Sequence, residues 1–211
     1  GVENHRAPLF EVVSLLPAVP IAIERLAQGQ TRLDLRPASD LLVLVENAHR
    51  RIFVRRDLNQ NAGTAQQEVF ILRRDGSLEG GVDWEYEVVT RAEARPIDPQ
   101  PLLLRGGVFT HVANRMPQEK GYNYWSRNLR ISRSNTEVRD LIHRVTGETE
   151  VGRPYDGFLN IRQCAHITLR NCSIDGRRTY RTIGAAGRPV SMGTYGYSVS
   201  LVVNFRSEEH T

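Results

Sequence analysis

The chain has 211 residues, 40% of them hydrophobic and 25% charged. These proportions fit one folded domain and exclude a disordered chain. Two cysteines exclude a disulfide scaffold. The net charge is +4, and Lys120 is the sole lysine among 28 basic residues. The arginines are scattered from Arg6 to Arg206. No nucleic-acid partner is therefore expected, because such an interface gathers its cations on one face or helix. Arginine is here the default surface cation, and it also suits bidentate contact with the carboxylates of an acidic polymer. No apolar run reaches membrane-spanning length, so no membrane span is expected.

Residues 1–30 read as a separate segment. Phe10, Val13 and Leu16 recur at helical spacing, and Pro17 and Pro20 interrupt them. Pro20 then opens a second short piece through Ile23 and Leu26, ended by Gly29. The expectation is a short N-terminal helical cap.

From Thr31 the period changes to that of β-structure. Leu33 and Leu35 alternate with polar neighbours. Leu41 to Val45 is a continuous apolar run, the mark of a core strand or one buried on both faces. Residues 59–66 are loop by composition, and Glu68 to Arg73 is a strand closed by the Asp75-Gly76 turn signal. Further strands follow at Tyr86 to Thr90, Leu102 to Leu104 and Val108 to Val112.

In the second half, short strands alternate with polar corners. The strands are NLRIS from Asn128, EVRDLIHRV from Glu137, FLNI from Phe158, ITL from Ile167 and SVSLVVNF from Ser198. The strand–corner–strand order recurs, and Ile131 to Ile161 is a step of 30 residues. Short strands at a fixed period must stack on one another. This predicts an all-β chain, a right-handed parallel β-helix (solenoid) over residues 31–205. Cys164 and Cys172 read as free thiols.

The stretch NYWSRNLRISRSNTEVRDLIHRVTGE, followed by PYDGFLNIRQCAHITLRNCSIDG, resembles consecutive coils of the pectate-lyase-like superfamily, with I-x-x-C-x-x-I-x-L-x-N-C-x-I-x-G at Ile161–Gly176. The resemblance covers roughly Leu102 to Phe205. It implies a parallel β-helix with a short cap at residues 10–28, a secreted or cell-surface bacterial-type protein, and polysaccharide as partner. It also implies Ca²⁺ as the ion to expect if a metal takes part. The superfamily includes lyases, hydrolases, phage tailspikes and adhesins, so the reaction stays open. Residues 206–211 (RSEEHT) resemble translated adapter sequence and read as a polar tail. The β-helix is therefore expected to be C-terminally incomplete, the first part of a longer protein.

Six of the seven tyrosines lie between Tyr122 and Tyr197, together with Trp125. Singly each is ordinary amphipathic packing; as a cluster they equally suit stacking on sugar rings. Asp140, Asp156 and Asp175 sit at corners, where Asp is a turn former, or else supply the paired carboxylates of a glycosidase. His143 stands before the loop that leads to Tyr155 and Asp156 and is the candidate general acid or base. Arg177, Arg178 and Tyr180 follow the Asp175-Gly176 corner, where arginine beside tyrosine grips a uronate or forms a solvated loop. The candidate catalytic residues are thus His143, Asp156 and Asp175; the candidate contact residues are Tyr155, Arg177, Arg178 and Tyr180. No phosphate loop, zinc spacing or Gly-x-Ser-x-Gly elbow is present. The expected function is a lyase- or glycosidase-like protein, or a non-catalytic tailspike or surface fibre on the same scaffold.

Overall fold

The computed structural model describes residues 7–54, 61–112, 124–125, 127–146, 153–154, 157–176, 179–183, 187, 189–193 and 196–208. The first large element follows from the apolar run at Leu41. Strand β2 (Leu41–Ile52) pairs antiparallel with β3 (Thr64–Leu72) on one side and β5 (Arg91–Pro96) on the other. The Asp75-Gly76 turn folds β3 back onto β4 (Leu78–Glu79), completing the order β4-β3-β2-β5. Leu41, Val43 and Val45 point to one face and pack with Phe70, Leu72, Ala94 and Tyr86. Leu42 and Ile71 point to the other and meet Ala165 and Val203. Burial on both faces is why the run is continuous rather than alternating.

The second body is parallel. Strands β1 (Phe10–Val13), β6 (Leu102–Arg105), β9 (Leu129–Ser132), β10 (Thr136–Arg139), β13 (Leu159–Arg170) and β17 (Tyr197–Glu208) form one six-stranded sheet. The twelve-residue β13 spans two shorter neighbours, β9 through Leu159–Ile161 and β10 through Ile167–Arg170. Strand β17 follows β13 from Tyr197 to Glu208. Ile131 and Ile161 are direct Cα partners. A second parallel sheet joins β7 (Val108–Val112), β11 (Ile142–Thr146) and β14 (Ser173–Ile174). Ile131, Val138, Phe158, Leu159, Ile161, Cys164 and Ile167 are fully buried between these strands. Complete burial of each large apolar side chain contributes roughly 1.5–3 kcal/mol.

The corners between strands are columns of left-handed backbone. Asn135, His166 and Asn204 have φ of 52°, 57° and 57° and immediately precede the partners Thr136, Ile167 and Phe205. Gly106, Asp140 and Asn171 follow the partners Arg105, Arg139 and Arg170, again with positive φ. Asn, Asp and Gly tolerate this conformation because short polar side chains bond locally or no Cβ intrudes. The polar corners in the sequence are therefore bends held in register from layer to layer.

Two expectations are corrected. The described residues contain no helix, so no N-terminal helical cap exists. Phe10–Val13 is a strand added in parallel to β9, and Val19, Leu26 and Arg32 make only isolated bridges. Phe10, Val13 and Leu16 are exposed, whereas Val12 packs inward. A three-residue spacing over so short a piece does not separate helix from strand, and the open edge of β9 decides the matter. The right-handed parallel β-helix over residues 31–205 is likewise overturned: residues 41–96 form an antiparallel sheet, and β15 (Thr179–Ile183) with β16 (Pro189–Gly193) forms an antiparallel hairpin. What stands is an all-strand chain with partly parallel sheets. Among the described residues no helix is long and apolar enough to cross a membrane.

Candidate functional site

The register of the parallel strands fixes where the chain leaves and re-enters the second body. Val112 and Thr146 are partners at the ends of β7 and β11, and β14 continues that sheet from Ile142 and His143 to Ser173 and Ile174. The three exits are therefore neighbours. The returns match: Leu129 pairs with Leu159, and Leu159 with Tyr197. Leu129 donates its amide to Phe158 O at 2.8 Å, and Phe158 donates to Gly196 O at 2.9 Å. The segments 113–126, 147–156 and 177–195 thus spring from one edge of the stack. Strand β8 (Tyr124–Trp125) of the first pairs in parallel with β12 (Arg153–Pro154) of the second. The third carries the β15–β16 hairpin, in which Tyr180 is the partner of Met192.

Of the three candidate catalytic residues the structure brings two together: Asp175 donates its amide to His143 O at 3.1 Å. His143 lies on β11 with no exposed surface, and its ring stacks on Phe158 at 4.1 Å with an interplanar angle of 4°. Its Nε2 lies 2.7 Å from Nδ1 of His111 on β7, which is also buried. Burial pushes the His143 pKa down to about 4; the His111 ring adds to the shift and Asp175 opposes it. Burial lowers the His111 pKa as well. An imidazole so enclosed has no face for a substrate. Asp175 follows β14 and is exposed, and its Oδ2 accepts from the Val145 amide at 3.2 Å. It joins two layers of backbone, as an Asp at a corner does.

Asp140 is equally committed. Its Oδ1 accepts from Asn171 Nδ2 at 2.7 Å and its Oδ2 from Arg105 Nε at 3.0 Å. The Asn171 bond, followed by the Arg105 bond and charge, holds its pKa below the usual carboxylate range. Both Asp140 oxygens are occupied, whereas a Ca²⁺ cradle needs several free oxygens turned to one point. Among the described residues no three His, Cys, Asp or Glu side chains converge on a possible metal position. Asp156, Tyr155, Arg177 and Arg178 lie outside the described residues. No protein-family model matches the chain, and no curated protein matches it. Neither comparison therefore names the pectate-lyase-like superfamily.

Beside the root of the third insertion is a cavity of about 310 Å³, lined in part by Leu169, Cys172, Ile174, Gly196, Tyr197 and Glu208. Tyr197 is exposed, while Glu208 is already held by Arg170 at 2.8 Å and Arg206 at 2.7 Å. Cys164 and Cys172 are both free thiols, and burial pushes the Cys164 pKa up to about 12. Sequence reasoning missed His111 and Phe158 as the partners of His143. The available signal was the alternation in Val108 to Val112, which turns His111 to the same face as Phe109. It also missed the shared edge of the three insertions, which depends on registers between strands far apart in the chain.

Proposed function

We propose that the protein binds an extracellular polysaccharide through the three insertions at residues 113–126, 147–156 and 177–195, and that it acts as a surface or adhesion-type protein. The observation that carries this reading is the adjacency of the insertion roots, Val112 beside Thr146 and Leu129 beside Leu159 beside Tyr197. The insertions hold Tyr122, Tyr124, Trp125, Tyr155, Tyr180 and Tyr195, with Tyr197 at the last root, and also Arg177 and Arg178. Aromatic residues in segments with adjacent roots suit successive sugar units, and arginines suit uronate carboxylates. The resemblance of residues 123–148 and 154–176 to polysaccharide-acting sequences supports the same substrate class. Binding is proposed rather than cleavage because His143 is buried against His111 and both Asp140 oxygens accept internal bonds, while Asp156 lies outside the described residues and Asp175 is exposed.

The test is binding of the intact chain to immobilised polygalacturonate, alginate and a neutral glycan. Trp125→Ala and Tyr180→Ala are each expected to weaken retention about ten-fold, the worth of one lost ring contact. Retention unchanged in both variants, or absent on every glycan, contradicts the reading. New unsaturated or reducing ends during incubation would show that the insertions cleave as well as bind.

A further inference from the structure

The buried histidine pair sits where the insertions are rooted. His111 is the residue before Val112, the last of β7, and the His111 carbonyl accepts from Thr146 Oγ1 at 3.3 Å. Thr146 is the last residue before the second insertion. Phe158, stacked on His143, is where that insertion returns, and the Phe158 amide reaches Gly196 at the return of the third. Phe158 O also takes the Leu129 amide, close to the return of the first. One aromatic cluster of His111, His143, Phe158 and Phe109 therefore supports all three.

Nδ1 of His111 and Nε2 of His143 face each other at 2.7 Å, so one proton is shared between them. Two protonated rings would set N–H against N–H at that distance, and even one imidazolium places a charge among phenylalanines. Among the described residues the charged groups acting on the pair are Asp175, which favours a charged His143, and Arg127, whose backbone hydrogen bond favours a charged His111 while its charge opposes one. Phe109, on the same strand as His111, and Phe158, which immediately precedes β13 and packs against both rings, carry no charge.

We infer that the His111–His143 contact is an acid-opened latch: uptake of the second proton, which puts an N–H on both facing nitrogens, separates the rings, releases Phe158 and loosens the roots of the three insertions together. Acid release of a bound polysaccharide would follow, and that consequence alone rests on the function proposed above. The direction agrees with the lowered proton affinity of both rings.

Amide hydrogen exchange on the intact chain tests the latch, read from about pH 7 to about pH 4.5 and corrected for intrinsic rates. The amides of Leu129, Phe158 and Leu159 are expected to exchange about ten-fold faster in acid relative to those of β2 and β3. The variant His111→Leu/His143→Phe keeps an apolar cluster without the titrating pair and is expected to lose that difference. A uniform acid response across both sheets overturns the latch, and the wild-type experiment reads this even if the variant does not fold. Polygalacturonate retention is measured at both pH values. Root opening without retention at neutral pH supports the latch while failing the polysaccharide reading; retention without root opening does the reverse.

Discussion

Asn171 donates to Asp140 across one strand layer at 2.7 Å, and both residues hold left-handed backbone, with φ of 49° and 59°. The bond and the backbone strain support each other. Left-handed φ is tolerated because the side chains are short and polar, and the side chains meet because the bends stack. Asn171→Ala removes the bond and places a Cβ without that compensation at positive φ. The expected cost is about 1–2 kcal/mol, read as a lower urea midpoint, while Asn171→Gly loses less. Equal stability of the alanine and glycine variants would remove the backbone part of this explanation.

Gly157 marks the return of the second insertion at φ +80°. A Cβ there would meet Tyr197 Cα at 2.8 Å and Gly196 O at 2.9 Å, both backbone atoms of the next layer. Neither atom is the flexible end of a side chain, so β13 and β17 must separate for Gly157→Ala to fit. The expected loss is about 2–4 kcal/mol, measured by chemical denaturation. A wild-type midpoint would mean that the two strands are not held at this spacing.

The histidine pair makes stability depend on pH with a definite sign. The unfolded rings take up protons near their ordinary value of about 6.5, whereas folded His143 does so only at about 4. The stabilisation is therefore complete above about pH 6.5 and is lost as pH falls toward 4. Its size is on the order of 3 kcal/mol for this group. Asp40 and Glu79, whose hydrogen-bonded carboxyls have lowered pKa values, add a loss at lower pH. Urea midpoints across this range, compared between wild type and His111→Leu/His143→Phe, isolate the histidine part. Parallel curves for the two proteins would show that the pair contributes nothing.

The two thiols differ in surroundings. Cys164 is fully buried, with its proton held by apolar packing, while Cys172 is half-buried at the cavity edge. At neutral pH an alkylating reagent is expected to modify Cys172 in the native chain and Cys164 only after unfolding. Mass analysis of the native, briefly treated protein checks the order; early modification of Cys164 contradicts its place in the core.

The strands at Leu41, Glu68, Leu102, Phe158 and Ile167 were legible because apolar residues alternate or run together there, and the bends because Asn, Asp and Gly punctuate them. The Ile131 to Ile161 step was legible as a repeat, and these residues are partners. Pairing direction was not legible for residues 41–96. Alternation fixes which side chains are buried, not which neighbour lies alongside, and the Asp75-Gly76 turn read as the end of a strand is the hairpin joining β3 to β4. His143 looked available because it precedes a polar loop. Its burial depends on Phe158 and His111, residues 15 positions after and 32 before it, so no local pattern carries it.

The most direct test is a hydrogen-exchange footprint of the intact protein with and without saturating polygalacturonate, or whichever of the three glycans is retained most strongly. Protection is expected in all three insertions at once, residues 113–126, 147–156 and 177–195, with the β2–β3–β5 sheet unchanged. Protection confined to residues 41–96, or to a single insertion, would contradict a shared polysaccharide surface at one edge of the parallel stack.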